Sequence, residues 1–396
     1  MKRTQAPFRA DHVGSLLRPA ALKAARGKRE KGEITAEQLR EVENREIEKA
    51  IKKQEEVGLQ LATDGEFRRS WWQFDFYKGL DGVELYSTGQ GIAFAGVTTK
   101  AESVRVVGKV GFSGHPHIEH FRFLKDHTKV APKMTIPAPS TLHFRQGRQS
   151  ISKQVYPDLE AYFDDVGQAY RKAIRAFYDA GCRYLQLDDT AWAMICDPKE
   201  REGSKRRGDD PDRLPAHYAR VTNAALAGRP ADMVVTMHSC RGNFRSTFIA
   251  QGGYEPVAER MLGEVDIDGY FLEYDTARAG GFEPLRFVSQ GQEAGRARAG
   301  HVQERDARKQ GRHQAADRRG DQICRTRSAM PEPTMRLCLD RGRQYSGRGR
   351  AVGQTAHDRG IGRRSLGQIL IGAGRRSNQG IAKNLWHPEH LNGGRT

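Results

Sequence analysis

In the run TMHSCRGN at positions 236–243, His238 and Cys240 stand two residues apart at the end of an apolar stretch. Side chains of an extended backbone repeat with period two, so the imidazole and the thiol point the same way. That pairing suits zinc, which binds nitrogen and thiolate ligands, although a buried cysteine beside a core histidine gives the same pattern. Glu273 ends the next apolar run, GYFLEYD, and adds a carboxylate that can reach the same place. None of the other four cysteines is an obvious further ligand. The chemistry such a centre serves is thiol alkylation: a free thiol has a pKa near 8.5 and reacts as the thiolate, which coordination to zinc produces at neutral pH.

Two more carboxylates, Glu66 and Asp188, also end short apolar runs. They could grip the α-ammonium of an amino-acid thiol by charge-assisted hydrogen bonds. The competing reading is structural pairing with Arg68, Arg69 or Arg241. Gly14 and Ser15, expected to follow a short N-terminal strand, could offer backbone N–H groups and a hydroxyl to a carboxylate.

The elements that must position these residues repeat one pattern: a helix, a glycine, a short apolar strand and a polar end. Residues 35–58 open on a Thr-x-x-Gln capping box, carry apolar residues at helical spacing and stop at Gly58, before the strand LQLAT and Asp64-Gly65-Glu66. The pattern returns at 159–189, ending on Asp188-Asp189, and again from the helix at 215–227 through MVVTM to His238. Lys133–Ile136 reads as another buried strand. Alternating helices and apolar strands predict a parallel sheet, and polar clusters at strand ends predict a closed (β/α)8 TIM barrel with its site at the C-terminal mouth. An open doubly wound sheet competes, but no Gly-x-Gly-x-x-Gly turn follows a strand. Residues 84–112 alternate and break at glycines, which predicts an inserted β-hairpin.

Composition divides the chain at Val288. Of its formal charge of +17, residues 289–396 carry +13, with 20 arginines, two lysines and just Tyr345 and Trp386 as aromatics. Residues 1–288 are expected to form the barrel domain, and 289–396 an Arg/Gly-rich tail without a core. An RNA-binding extension is one reading of such a tail. A shifted reading frame is the other: codons that encode Met335–Arg341 permit Cys-Gly-Phe-Ala-Ser-Thr one base later, and the next residues permit an acidic, helix-like text. Under that reading no nucleic acid is bound. Five cysteines without paired spacing fit a reducing compartment. With no apolar h-region and no run near the roughly 18 apolar residues of a membrane span, a cytoplasmic protein without membrane contact is expected.

Together, FRADHVGSLLRP (8–19), DGEFRRSWWQFDF (64–76), LQLDDTAW (185–192), TMHSCRGN (236–243) and FLEYDTARAGGFEPLRFV (271–288) resemble cobalamin-independent methionine synthase, and more closely its short relatives that hold the catalytic barrel alone. The resemblance implies a (β/α)8 barrel, zinc as cofactor with ligands at His238, Cys240 and Glu273, homocysteine carboxylates at Glu66 and Asp188, and contacts to the substrate carboxylate from Gly14 and Ser15. It implies methyl transfer to homocysteine with a methylated folate as donor; in short relatives a methyl-corrinoid protein or another methylated compound is the alternative. A zinc alkyltransferase for another small thiol, of the coenzyme M type, is the competing enzyme. The family's second cysteine ligand lies in a Cys-Gly-Phe segment absent from this chain as written. The last one or two βα units are therefore expected to be missing or disrupted, and the product inactive.

Overall fold

The computed structural model describes residues 5–87, 102–145, 147–243, 248–274 and 277–288, with the backbone of residues 93–94, 97–98 and 336–340. The remainder of the tail, with most of what its composition predicts, lies outside the described residues. Helices α1 (Ala20–Glu30) and α2 (Ala36–Glu56) lead into strand β1 (Leu61–Ala62). The Thr35 side chain accepts from the Gln38 backbone while the Gln38 side chain accepts from the Thr35 backbone, so the capping box starts α2 as the sequence predicts. Gly58 ends the unit at φ +82°, a conformation that costs glycine little.

After α3 (Phe74–Tyr77) comes the inserted region. Strands β2 (Asp81–Ser87) and β5 (Glu102–Gly111) pair antiparallel, with the short antiparallel pair β3 (Ala93–Phe94) and β4 (Val97–Thr98) between them in sequence. Helix α4 (Pro116–His127) returns the chain to the main sheet at β6 (Ala131–Pro137). The βα alternation then continues through α5 (Pro139–Phe144), α6 (Leu159–Asp179), β7 (Tyr184–Asp189), α7 (Ala191–Ile195), α8 (Pro198–Arg206), α9 (Leu214–Leu226), β8 (Val234–Ser239) and β9 (Gly269–Glu273).

The sheet order is β1-β6-β7-β8-β9-β10, parallel through β9. Its last member, β10 (Arg336–Asp340), comes from the tail and runs antiparallel, with Arg336 opposite Glu273. Two expectations need correction. The tail contributes a described strand where none was expected, covering an edge that an all-parallel barrel would fill with a parallel strand. Among the described residues no strand precedes Gly14 either: residues 5–19 form an irregular segment held by side chains of the sheet. Among the described residues the sheet is a curled half-barrel of α/β type, and the strands that would close it are not among them.

Register explains the two faces. Met134, Leu185 and Val235 lie side by side, as do Ile136, Leu187, Met237 and Tyr270. They join one apolar core with Phe163, Val166 and Phe177 of α6 and Val221 and Ala225 of α9. The alternate positions form a polar face: Thr135, Gln186 and Thr236 in one row, then Asp188 and His238 in the next. This face holds the N-terminal segment. Gln186 Nε2 donates to the Val13 carbonyl at 3.0 Å and Thr63 Oγ1 to the Gly14 carbonyl at 2.7 Å.

At its centre Lys133, with no exposed side-chain surface, donates to Asp11 Oδ1 at 2.8 Å and to the His12 carbonyl at 2.7 Å. Its ammonium also lies 4.3 Å from the Phe271 ring centroid and 4.7 Å from that of Tyr184. Removing one partner from a buried pair leaves the other charge unpaired, which costs about 3–5 kcal/mol. Lys133→Met should therefore lose stability of that order in urea unfolding, and adding Asp11→Leu should recover part of it. An unfolding free energy unchanged in Lys133→Met would show that the pair does not anchor the segment.

Candidate metal centre and substrate site

The polar face ends at its C-terminal rim in a row of functional groups. Asp188 is the register partner of His238, and His238 that of Phe271, so Glu273 falls two residues on and on the same face. Cys240 follows β8, its backbone N–H fixed by the Asp189 carbonyl at 2.7 Å. The side-chain ligand atoms of His238, Cys240 and Glu273 all lie within 4.8 Å of one another. His238 and Glu273 are buried, and Cys240 is half-buried.

The surroundings orient these groups as a metal would require. His238 Nδ1 donates to the Phe271 carbonyl at 3.0 Å, which puts a proton on Nδ1 and turns Nε2 toward Glu273 Oε1, 3.8 Å away. A backbone acceptor fixing the tautomer is the usual outer partner of a ligating histidine. Cys240 Sγ accepts from the Gly242 N–H at 3.3 Å and from Asn243 Nδ2 at 3.7 Å. Asn243 Nδ2 also meets both Glu273 oxygens, at 2.6 and 2.7 Å, and the Arg241 N–H meets Oε2 at 3.1 Å. Imidazole nitrogen, sulfur and carboxylate oxygen converging in this way fit a zinc ion with a position left for a further ligand.

Asp188 belongs to that row, and Glu66 approaches it through Thr135 of the preceding row and through Arg69. Glu66 sits above β6, where Thr135 Oγ1 donates to its Oε1 at 2.7 Å. Asp188 accepts from Gln186 Nε2 at 2.6 Å, and burial raises its pKa against the opposing pull of His238 and Arg69. Sequence reasoning gave neither carboxylate an evident cation. For Glu66 the competing reading of structural pairing is met, since its Oε2 is ion-paired with the Arg69 guanidinium. Arg69 also carries a favourable interaction with Asp188, while burial lowers its pKa to about 10. Of the other arginines weighed from the sequence, Arg68 pairs with Glu43, and Arg241 reaches Glu273 through its backbone N–H.

Gly14 is buried against this row. At φ +110°, a Cβ there would stand 2.7 Å from both Glu66 Oε1 and Thr135 Cγ2, so the close approach requires glycine. Its N–H is engaged by His12 Nδ1 at 3.2 Å, which leaves exposed Ser15 as the member of the pair open to a ligand. Asn243, Thr135 and Arg69 escaped sequence reasoning as site members. Nothing in local spacing distinguishes Asn243 or Thr135, whereas Arg69 was visible as a neighbour of Glu66.

Residues 8–251 match the family model described as the catalytic domain of cobalamin-independent synthase. The uncharacterized Bacillus subtilis protein YxjH is 54% identical over 288 residues, which are 72% of this chain and 76% of the relative. A solved structure from Listeria monocytogenes, described as a candidate vitamin-B12-independent methionine synthase, superposes with a TM-score of 0.58 at 45% identity, covering 72% of this chain and 77% of that one. A 5-methyltetrahydropteroyltriglutamate–homocysteine methyltransferase from Corynebacterium glutamicum is 26% identical over 59% of this chain and 29% of its own length.

The geometry generates a metal-binding prediction. In competition against a chromophoric chelator, His238→Ala and Cys240→Ser should lose Zn2+ binding. Asn243→Ala, which removes an outer partner, should weaken it roughly 10–100-fold. Equal zinc affinity in all four proteins would show that these residues do not form the site.

Proposed function

Because the chain belongs to the catalytic-domain family of cobalamin-independent methionine synthase, we propose that its fold serves methyl transfer from a methylated folate to the thiol of homocysteine, giving methionine. The observation that carries this reading is the shared row: His238, Cys240 and Glu273 converge within 4.8 Å, and Asp188 is the register neighbour of His238. One end of that row suits a thiol and the other an ammonium, as an amino-acid thiol requires.

His238 through Nε2, Cys240 through Sγ and Glu273 through its carboxylate would hold zinc, which when bound supplies the acidity that keeps a thiol deprotonated near neutral pH. The backbone bond at His238 Nδ1 occupies that nitrogen and leaves Nε2 as the ring atom for that role. Glu66 and Asp188 accept hydrogen bonds from the substrate ammonium, and Thr135 fixes the rotamer of Glu66 while they do so. Ser15, beside the buried Gly14, meets the substrate carboxylate. These contacts orient the sulfur toward the methyl donor, and orientation of this kind contributes to rate by removing rotational freedom before the reaction.

Residues 289–396 enter this proposal as a shifted reading frame. The similarity to YxjH extends over 288 residues, the length of the compositionally ordinary part of the chain. Removing one extra base near the codons for Val288–Gln290 should restore a Cys-Gly-Phe segment with the further cysteine ligand. The chain as given is expected to be poorly soluble and to show no methyl transfer, whereas the frame-restored chain should produce methionine from homocysteine and a methylated folate. In that restored chain, Glu66→Ala and Asp188→Ala should each raise the KM for homocysteine. Unchanged KM values would favour a different thiol, and normal turnover by the chain as given would refute the shifted frame.

A further inference from the structure

Glu66 holds φ at +59°, the left-handed region, and among the described residues it is the sole non-glycine that does so. For a residue other than glycine, such a conformation costs energy and persists where surrounding contacts over-determine it. The contacts here are specific. Asp64 Oδ1 accepts from the Glu66 N–H at 2.8 Å and Thr63 Oγ1 from the Gly65 N–H at 3.2 Å, closing the turn from within. From outside, the Leu16 N–H donates to the Gly65 carbonyl at 3.1 Å.

Two arginines complete the enclosure. One Arg18 nitrogen, Nη2, bridges the carbonyls of Glu66 and Arg69 at 3.0 Å each. Arg26 reaches the Arg69 carbonyl through Nη1 at 2.9 Å and the Phe67 carbonyl through Nη2 at 2.5 Å. Arg18 belongs to the irregular N-terminal segment and Arg26 to α1, so two separate elements close on one five-residue turn. Neither guanidinium bonds the Glu66 carboxylate, which is left to Thr135 and Arg69.

We infer that Arg18 and Arg26 are positioning residues that hold the Glu66 turn in its left-handed conformation and thereby aim the Glu66 carboxylate along the row toward Asp188. The planar guanidinium fork is what the task requires, because carbonyls that diverge around a turn must be met by several donors fixed in one plane. A lysine ammonium keeps the charge but not that geometry. The ligand side of the inference rests on the proposed function; the conformational side does not.

The experiment therefore has two readouts on the full chain. Amide hydrogen exchange of a peptide spanning 63–72 should accelerate at least tenfold in Arg18→Gln/Arg26→Gln and in Arg18→Lys/Arg26→Lys, while peptides from β7 and β8 keep wild-type rates. Unchanged exchange at 63–72 in the glutamine variant, or wild-type exchange in the lysine variant, would overturn the clamp. Calorimetric titration with L-homocysteine and with 4-mercaptobutanoate, the same chain without its amine, gives the second readout. In the frame-restored protein the glutamine variant should bind homocysteine about tenfold more weakly, with 4-mercaptobutanoate unaffected. Equal weakening for both thiols would overturn the aim at the ammonium. Equal affinity of unsubstituted protein for the two thiols would instead refute Glu66 and Asp188 as an ammonium site, and the exchange result would still decide the clamp.

Discussion

Parallel pairing of β7, β8 and β9 in one register sets the position of nearly every functional group in this molecule. Asp188 stands beside His238, and His238 beside Phe271, with Glu273 two residues beyond on the same face. Because side chains alternate, a slip of one residue would turn His238 toward the helices and bring Met237 to the rim. The register is defended on both faces. Outward, Leu187, Met237 and Tyr270 are buried in the helix-packed core; inward, the Lys133 ammonium and the Gln186 amide nitrogen donate to the N-terminal segment. Shifting a strand would bury polar groups against α6 and α9 and leave a buried ammonium without its carboxylate, and either change costs several kcal/mol.

The N-terminal segment is thus more than a lead-in to the first helix. It supplies Asp11 to Lys133, the Val13 carbonyl to Gln186, the close-packed Gly14 backbone to Glu66, and Arg18 to the turn that follows β1. In a closed barrel a strand would make such contacts by ladder hydrogen bonds. Here side chains make them, and each is specific to the residue it meets. The strain at Glu66 belongs to the same arrangement: a left-handed glutamate is tolerated because hydrogen bonds to Asp64, Leu16 and Arg18 hold the turn around it. Stability elsewhere offsets a local cost at the point where a ligand would be met.

Much of this was legible in the sequence because it follows from periodicity. The capping box at Thr35, the stop at Gly58 and the strands ending at Asp188, His238 and Glu273 are local signals, and the structure places them as read. The approach of His238, Cys240 and Glu273 was also readable, since period two and strand-end position are enough to bring them together. What escaped depends on contacts far apart in sequence. Asn243 matters because it touches Glu273, 30 residues away, and Arg18 because it meets a carbonyl 48 residues away. No propensity records such pairs. The expected strand before Gly14 failed for a related reason: the short apolar pattern is real, but side-chain anchors from β6 and β7 took the place of a ladder.

Strand β10 shows how the same physics acts at the edge of the sheet. The outer edge of β9 offers a row of N–H and C=O groups, and an uncovered edge accepts whatever extended segment the chain supplies. Arg336–Asp340 fills it antiparallel, opposite Gly269–Glu273. Backbone pairing of this kind satisfies the edge without regard to side-chain identity. His238 of β8, Cys240 just after it and Glu273 of β9 are held together by the register of their own strands. Within the first 288 residues that register brings His238, Cys240 and Glu273 together beside Asp188.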